Sequence, residues 1–174
     1  MACSWIWPVR SLDRLKPERL DPITLIPGVA EAIAHLASAG FVCPVVTIQS
    51  RIAKGLWSLS DFEKWFASFA AELQLQGAIV VGPYVCPHRF AKPCLCKKPL
   101  YDRAASEHRL NPVDFFVIGD SPDDVCAARR LGARGCLVRT GWAGAPCVVE
   151  EAAPDASIVV SSFGEAADWI LHIS

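Results

Sequence analysis

The stretch of residues 115–124, FFVIGDSPDD, decides the fold of this chain. Four consecutive apolar residues at its start are typical of a parallel strand that is buried on both faces. The chain turns at Gly119, and Pro122 opens a helix that is predicted to end at Leu131, just before Gly132. A buried strand that runs directly into a helix is the repeating unit of α/β proteins, so the stretch predicts that class.

The same alternation of strand and helix continues in both directions from this stretch. The apolar pattern predicts strands at residues 41–47, 78–81, 115–118, 136–138 and 158–160. It predicts helices at 29–39, 60–77, 100–110, 122–131 and 165–173. The second of these helices is expected to open with a capping box from Ser60 to Glu63. Irregular structure is expected at residues 83–99 and 143–155, and the whole indicates one Rossmann-like α/β domain over residues 1–174, with helices on both faces of a parallel sheet.

Length and composition restrict the classes of function. The 174 residues, 52% of them hydrophobic, suffice for one domain with a substantial core. A net charge of −1 argues against partnership with nucleic acid or a membrane surface through bulk electrostatics. No apolar run reaches the roughly 18 residues of a membrane-spanning helix, and the first residues lack the pattern of a signal peptide. We therefore expect a soluble cytoplasmic protein, monomeric or weakly dimeric.

Three polar segments lie where an open parallel sheet binds its ligands, beyond the carboxyl ends of the strands. These are Thr47-Ile48-Gln49-Ser50 after one strand, Gly119-Asp120-Ser121 after another, and Lys97-Lys98-Pro99 between them in the chain. Lys bonds phosphate oxygens, and carboxylates are ligands that suit Mg²⁺. Each segment alone fits an ordinary cap or turn. Their shared placement is what indicates a phosphate and magnesium site.

A second constellation occupies residues 86–96. Cys86-Pro87-His88 and Cys94-Leu95-Cys96 bring three thiols and one imidazole into a Pro-rich segment, the composition of a structural Cys₃His zinc site. Buried cysteines beside a surface histidine are the alternative, but such a loop offers little core. An odd number of thiols and the lack of a secretion signal argue against disulfides. The other cysteines are interpreted as small core residues: Cys3, Cys43, Cys126, Cys136 and Cys147.

Together these motifs resemble the haloacid-dehalogenase (HAD) superfamily, and more closely its zinc-containing branch of heptose 1,7-bisphosphate and histidinol-phosphate phosphatases. The resemblance extends from about residue 25 to residue 141 and rests on several motifs in order: LIPGV at 25–29, VVTIQS at 45–50, IAKG at 52–55, the 86–96 loop, CKKP at 96–99, IGD at 118–120 with Asp124, and VRTG at 138–141. It implies a hydrolase of carbohydrate metabolism that removes phosphate from a small metabolite such as a sugar bisphosphate, with Mg²⁺ and Zn²⁺ as cofactors.

The resemblance also assigns roles to individual residues. The catalytic group is Thr47, Lys98 and Asp120. The substrate-binding group is Gln49, Ser50 and Lys97. The zinc ligands are Cys86, His88, Cys94 and Cys96, and the magnesium site takes Asp120 with Asp124, the latter more often a supporting acid. Three positions depart from the branch, because Ile48 replaces a usual Asn, Arg51 a usual Gly and Lys97 a frequent Arg.

The largest departure is at the start of the chain. In the superfamily the first strand ends in Asp-x-Asp, which supplies the nucleophile and the general acid/base, and no such pair precedes Pro27 here. Asp13 is the residue that comes nearest to this motif, and it is interpreted more simply as a solvated loop residue. Neither Lys nor Mg²⁺ can replace the attacking carboxylate, so little or no turnover is expected. The alternatives are a catalytically inactive relative with a binding or structural role, and an altered start on an otherwise active phosphatase.

The missing motif has a structural side as well. In the family fold the first strand lies in the middle of the sheet, between the strands that end at Thr47 and Asp120. An empty slot would leave two rows of buried backbone donors and acceptors without partners. We predict that Cys3-Ser4-Trp5-Ile6-Trp7 fills the slot and that Pro8 ends the strand. A dimer partner or a closed-up sheet are the alternatives.

Overall fold

A computed structural model describes residues 2–5, 25–88, 97–140 and 146–174, with the backbone alone for residues 2–5, 97, 98, 112 and 146–148. The strands of this part of the chain are β1 (Ala2–Trp5), β2 (Pro44–Ile48), β3 (Val81–Cys86), β4 (Phe115–Gly119), β5 (Arg134–Val138) and β6 (Ile158–Val160). The helices are α1 (Val29–Ser38), α2 (Ser50–Ala53), α3 (Leu59–Leu75), α4 (Lys97–Glu107), α5 (Pro122–Leu131), α6 (Pro146–Ala152) and α7 (Phe163–Ile173).

The described strands form one parallel sheet in the order β3-β2-β1-β4-β5-β6. Alternate residues of β4 face opposite sides of this sheet, as a strand requires. Phe116 and Ile118 pack with apolar residues of α1, α3 and α7. Val117 packs with α4 and α5 on the other face. The predicted α/β class, with helices covering both faces, is therefore confirmed.

The prediction for the central strand is confirmed over the residues that the structure describes. Ala2–Trp5 pairs in parallel with Phe115–Ile118 on one side. Trp5 pairs with Val45 on the other side, which places β1 between β2 and β4. The remaining two residues of the predicted strand, Ile6 and Trp7, lie outside the described part of the chain. The slot is filled by the chain itself, and neither a partner copy nor a closed-up sheet is needed.

Helix α3 begins earlier than the sequence pattern predicted. Its N-cap is Ser58, whose Oγ accepts the Asp61 N–H at 3.0 Å while the Asp61 carboxylate accepts the Ser58 N–H. Trp57, the residue before the cap, stacks on Phe62 with ring centroids 6.4 Å apart. This contact is a hydrophobic staple, and it favours the earlier capping box over the one predicted from Ser60 to Glu63. The prediction of Ser60 as the cap was wrong.

Two regions predicted as irregular contain regular structure. Residues 83–86 belong to β3, which starts at Val81, where the predicted strand ended. Pro83 is tolerated because β3 is the outermost strand of the described sheet and needs partners on one side only. Within residues 143–155 the chain forms α6 and a short 3₁₀ helix, Ala153–Asp155. Ala152 is buried against α5 and β5, so this segment helps to cover the sheet.

The cysteines outside the zinc motif divide by burial. Cys43 and Cys136 lie in the core, and burial raises the pKa of each thiol to about 12. Cys126 is half-buried on α5, and the side chains of Cys3 and Cys147 lie outside the described residues. The core role is confirmed for Cys43 and Cys136. None of the helices in the described ranges has the length and apolar character to cross a membrane.

The central position of β1 makes its backbone essential to stability. Ser4 pairs with Val117 in the middle of β1, so Ser4→Pro removes a backbone donor between two neighbouring strands. We expect the free energy of unfolding to fall by about 2 kcal/mol or more in chemical denaturation, the cost of an unsatisfied buried partner. Ser4→Ala is the matched control and keeps the donor. Equal denaturation midpoints for the two variants would contradict the central placement of β1.

Candidate active site

The carboxyl edge of the sheet brings Thr47 and Asp120 to the same height. Trp5 pairs with Val45 on one side and with Ile118 on the other. Thr47 and Asp120 each lie two residues beyond these partners, so they flank the end of β1 from neighbouring strands. This is the crevice in which open parallel sheets bind ligands. Thr47 and Asp120 are the two predicted catalytic residues whose side chains the structure describes. The strand register places them at the same edge of the sheet.

Thr47 is held by a neighbouring amide. Its side chain is buried at 3% exposure, and Gln49, at 5%, donates from Nε2 to Thr47 Oγ1 at 3.0 Å. The backbone N–H of Gln49 donates to the carbonyl of Cys86 at 2.8 Å, which ties the end of β2 to the end of β3. The sequence did not predict the hydrogen bond from Gln49 to Thr47. The signal was available, because residues two apart in an extended chain point to the same side.

The two acids at the end of β4 have different surroundings. Asp120 is half-buried at the strand end, whereas Asp124, in the first turn of α5, is 1% exposed. The Ser121 hydroxyl donates to Asp124 Oδ2 at 2.8 Å. Asp124 also lies against Gly119, since a Cβ built on that glycine would come within 2.4 Å of the carboxylate. Asp120 is thus the more exposed of the two acids at the end of β4, and Asp124 is the buried one, packed against Gly119.

The predicted lysines stand at the same edge. Lys97 and Lys98 open α4, the helix that leads from β3 to β4. In a parallel crossover the helix begins on the side where the preceding strand ends, so the start of α4 lies at the carboxyl edge. The backbone places both residues at this edge, and their side chains lie outside the described part. Ser50 begins α2, also at this edge, and is half-buried.

Two of the four predicted zinc ligands belong to the described residues and lie within hydrogen-bond distance of each other. Cys86 ends β3, and its Sγ lies 3.5 Å from Nδ1 of His88. Zinc–sulfur and zinc–nitrogen bonds at a tetrahedral angle place the two ligand atoms about 3.6 Å apart. The other two predicted ligands, Cys94 and Cys96, lie outside the described residues. In the described ranges no three His, Cys, Asp or Glu residues form a metal-binding group.

The segment after Gln49 contains a stacked cation that the sequence did not predict. The Arg51 guanidinium lies 5.2 Å from the centre of the Trp57 ring, within the range of a cation–π contact. Trp57 is 8% exposed and rests on Phe62 of α3. Trp57 is therefore a packing residue. The same ring also positions the arginine that stands where the resembled family has glycine.

Comparisons with known proteins identify relatives of this chain. A profile of the HAD-hydrolase-like family matches residues 95–166. D-glycero-beta-D-manno-heptose-1,7-bisphosphate 7-phosphatase of Pseudomonas putida is 39% identical over 119 residues, 67% of this chain and 68% of that protein. The protein of the same name from Yersinia pestis is 30% identical over 166 residues, 88% of this chain and 79% of the relative.

A solved structure shares this fold. D,D-heptose 1,7-bisphosphate phosphatase from B. bronchiseptica, complexed with magnesium and phosphate, has a TM-score of 0.84 to this chain. The match covers 99% of both chains at 23% sequence identity. A likeness at this identity establishes the fold, which is that of the HAD phosphatases.

The contact between Gly119 and Asp124 can be tested by adding one methyl group. Gly119→Ala would place a Cβ 2.4 Å from the Asp124 side chain, so we expect a loss of about 1–3 kcal/mol in the free energy of unfolding from overpacking. Gly164→Ala is the control, because its added Cβ would meet only Ser162 Oγ at 3.7 Å. If the two variants unfold at the same denaturant concentration, Asp124 does not pack against the end of β4.

Proposed function

Because the chain belongs to the HAD-like heptose 1,7-bisphosphate phosphatase family, we propose that it is a phosphatase-type protein for a small phosphorylated metabolite such as a sugar bisphosphate, with impaired turnover. The observation that carries the proposal is the shared height of Thr47 and Asp120 on the two sides of β1. A hydroxyl on one side and a carboxylate on the other suit a phosphoryl group together with its cation.

The residues at this edge of the sheet have separate roles in binding. Thr47 donates its hydroxyl to a phosphoryl oxygen, and Lys98 neutralises the charge of the group. Asp120 would hold Mg²⁺, and the buried Asp124 would support it. When bound, the cation supplies charge stabilisation at the phosphoryl oxygens. Ser50 and Lys97 are assigned to the rest of the substrate, as is Gln49 by family resemblance.

The end of β1 explains why turnover is expected to be low. Trp5 is followed in the sequence by Ile6-Trp7-Pro8, and the first acidic residue after it is Asp13. Phosphoryl transfer through an aspartyl-phosphate needs a carboxylate at the strand end, and binding groups alone do not form that covalent bond. This observation also favours a second candidate function, a protein that binds a phosphorylated sugar without hydrolysing it.

The zinc assignment rests on the described pair and on the sequence. Cys86 and His88 stand at a separation that suits zinc, and Cys94-Leu95-Cys96 completes a four-ligand set. We assign the closed Cys₃His site a structural role, with residues 86–96 as the loop that it organises within the single domain 1–174. Thiolate ligands that stay reduced suit the cytoplasm. We place the protein there, as a monomer or weak homodimer without nucleic-acid or membrane partners.

A hydrolysis assay separates the two candidate functions. The full chain with Mg²⁺ is expected to release phosphate from heptose 1,7-bisphosphate and from an aryl phosphate no faster than an Asp120→Ala variant does. Calorimetry should at the same time show that the wild type binds inorganic phosphate with Mg²⁺ more tightly than this variant. Turnover far above the Asp120→Ala level would show that another group supplies the nucleophile. Equal phosphate affinities would overturn the role of Asp120.

Metal analysis tests the zinc site without relying on activity. The purified chain is expected to contain about one zinc per molecule, because four ligands complete a structural site. Cys94→Ser/Cys96→Ser should lose this zinc and melt at a lower temperature. Cys126→Ser is the matched control, since this half-buried thiol lies on α5 and outside residues 86–96 of the sequence. Equal zinc content in the double variant and the control would refute the assignment.

A further inference from the structure

We propose that Gln49 is a positioning residue that sets the direction of the Thr47 hydroxyl toward the phosphoryl group. The inference rests on the proposed function, because it assumes that Thr47 binds phosphate. It differs from the substrate contact that family resemblance assigns to Gln49. In the structure the Gln49 amide lies on Thr47, and its effect on a substrate would pass through that hydroxyl.

The hydrogen bond determines which way the hydroxyl can donate. Threonine has one O–H proton and two acceptor lone pairs. Gln49 Nε2 donates to Thr47 Oγ1 at 3.0 Å, which occupies one lone pair and leaves no acceptor on that side. The hydroxyl proton must therefore point elsewhere. A phosphoryl oxygen only accepts hydrogen bonds, so a hydroxyl already turned outward as a donor is the arrangement that it needs.

Burial and backbone contacts keep Gln49 in this position. Thr47 and Gln49 are 3% and 5% exposed, so water has little access to replace the amide. The Gln49 N–H donates to the Cys86 carbonyl at 2.8 Å, and the Gln49 carbonyl accepts the Ile52 N–H at 3.0 Å. The residue is thus held by β3 on one side and by α2 on the other. Its side chain has a fixed base from which to reach Thr47.

The competing explanation is that Gln49 only satisfies a buried hydroxyl and contributes to stability. In that case a substitution would lower the melting temperature and leave the affinity for phosphate unchanged. A direct contact between Gln49 and phosphate is another explanation. It would weaken binding whether or not Thr47 keeps its hydroxyl. A positioning role predicts a third pattern, in which the effect of Gln49 disappears when the hydroxyl is removed.

The experiment is a double-mutant cycle on the full chain, with the dissociation constant of inorganic phosphate measured by calorimetry in the presence of Mg²⁺. Gln49→Glu keeps the shape but offers only acceptor oxygens, so the Thr47 proton turns inward. We expect phosphate to bind about tenfold or more weakly. Thr47→Val removes the hydroxyl at similar size. In that background Gln49→Glu is expected to cause a clearly smaller loss, the part that its charge alone imposes on phosphate.

Each other outcome identifies what is wrong. The same loss in both backgrounds would mean charge repulsion or direct contact, and it would overturn the positioning role alone. An unchanged affinity for Gln49→Glu, with a lower melting temperature, would leave Gln49 a structural residue and overturn the inference. Absence of phosphate binding by the wild type would overturn the proposed function itself, and the inference with it.

A second variant keeps the test independent of folding. Gln49→Met retains the approximate volume and removes every polar atom, so the Thr47 hydroxyl rotates freely. We expect a smaller loss of about three- to fivefold, since only the preferred direction is lost. This loss should also vanish in the Thr47→Val background. If Gln49→Glu does not fold, a loss for Gln49→Met that persists without the Thr47 hydroxyl overturns the inference.

Discussion

The requirement that a central strand hydrogen-bond on both sides governs this molecule. β1 lies between β2 and β4, and Thr47 and Asp120 of the candidate site lie at the ends of these neighbours. Without β1, Thr47 and Asp120 would end adjacent strands of a rearranged sheet, with no crevice between them. The short segment Ala2–Trp5 therefore fixes the spacing of the site, although the sequence that follows it contains no acid before Asp13.

The fold could be predicted wherever burial dominates the sequence. The apolar run that starts at Phe115 predicted a strand, and Pro122 and Gly132 predicted the observed ends of α5. In the structure Gly132 takes a φ of 72°, the left-handed conformation that ends a helix. Prediction failed at the start of α3, where the sequence contains two possible capping boxes. The capping box at Ser58 prevailed over the one at Ser60 because Trp57 packs on Phe62, a contact that spacing alone does not reveal.

The candidate site could be predicted as a set of motifs, and only partly as a geometry. Thr47 and Asp120 lie at the same edge as expected, because parallel strands bring their carboxyl ends to one edge. The bond from Gln49 to Thr47 depends on the side-chain direction at a strand end, and the difference between Asp120 and Asp124 depends on how α5 seats on Gly119. The order of the motifs along the chain predicts neither of these features. The hydrogen bond from the Gln49 N–H to the Cys86 carbonyl likewise joins the predicted zinc motif to the predicted phosphate-binding segment, and the sequence alone does not predict it.

Because β1 fills its slot through backbone pairing, the stability of the fold does not depend on a catalytic side chain at the end of this strand. Backbone pairing by Ala2–Trp5 satisfies the sheet whatever side chain comes next. Cellular quality control recognises exposed apolar surface and unfolded chain, and a missing carboxylate at the end of a well-paired strand creates neither. A chain of this kind can therefore keep its fold without a carboxylate at the end of the strand. Selection can then act on what the remaining crevice binds, with no need to rebuild the scaffold.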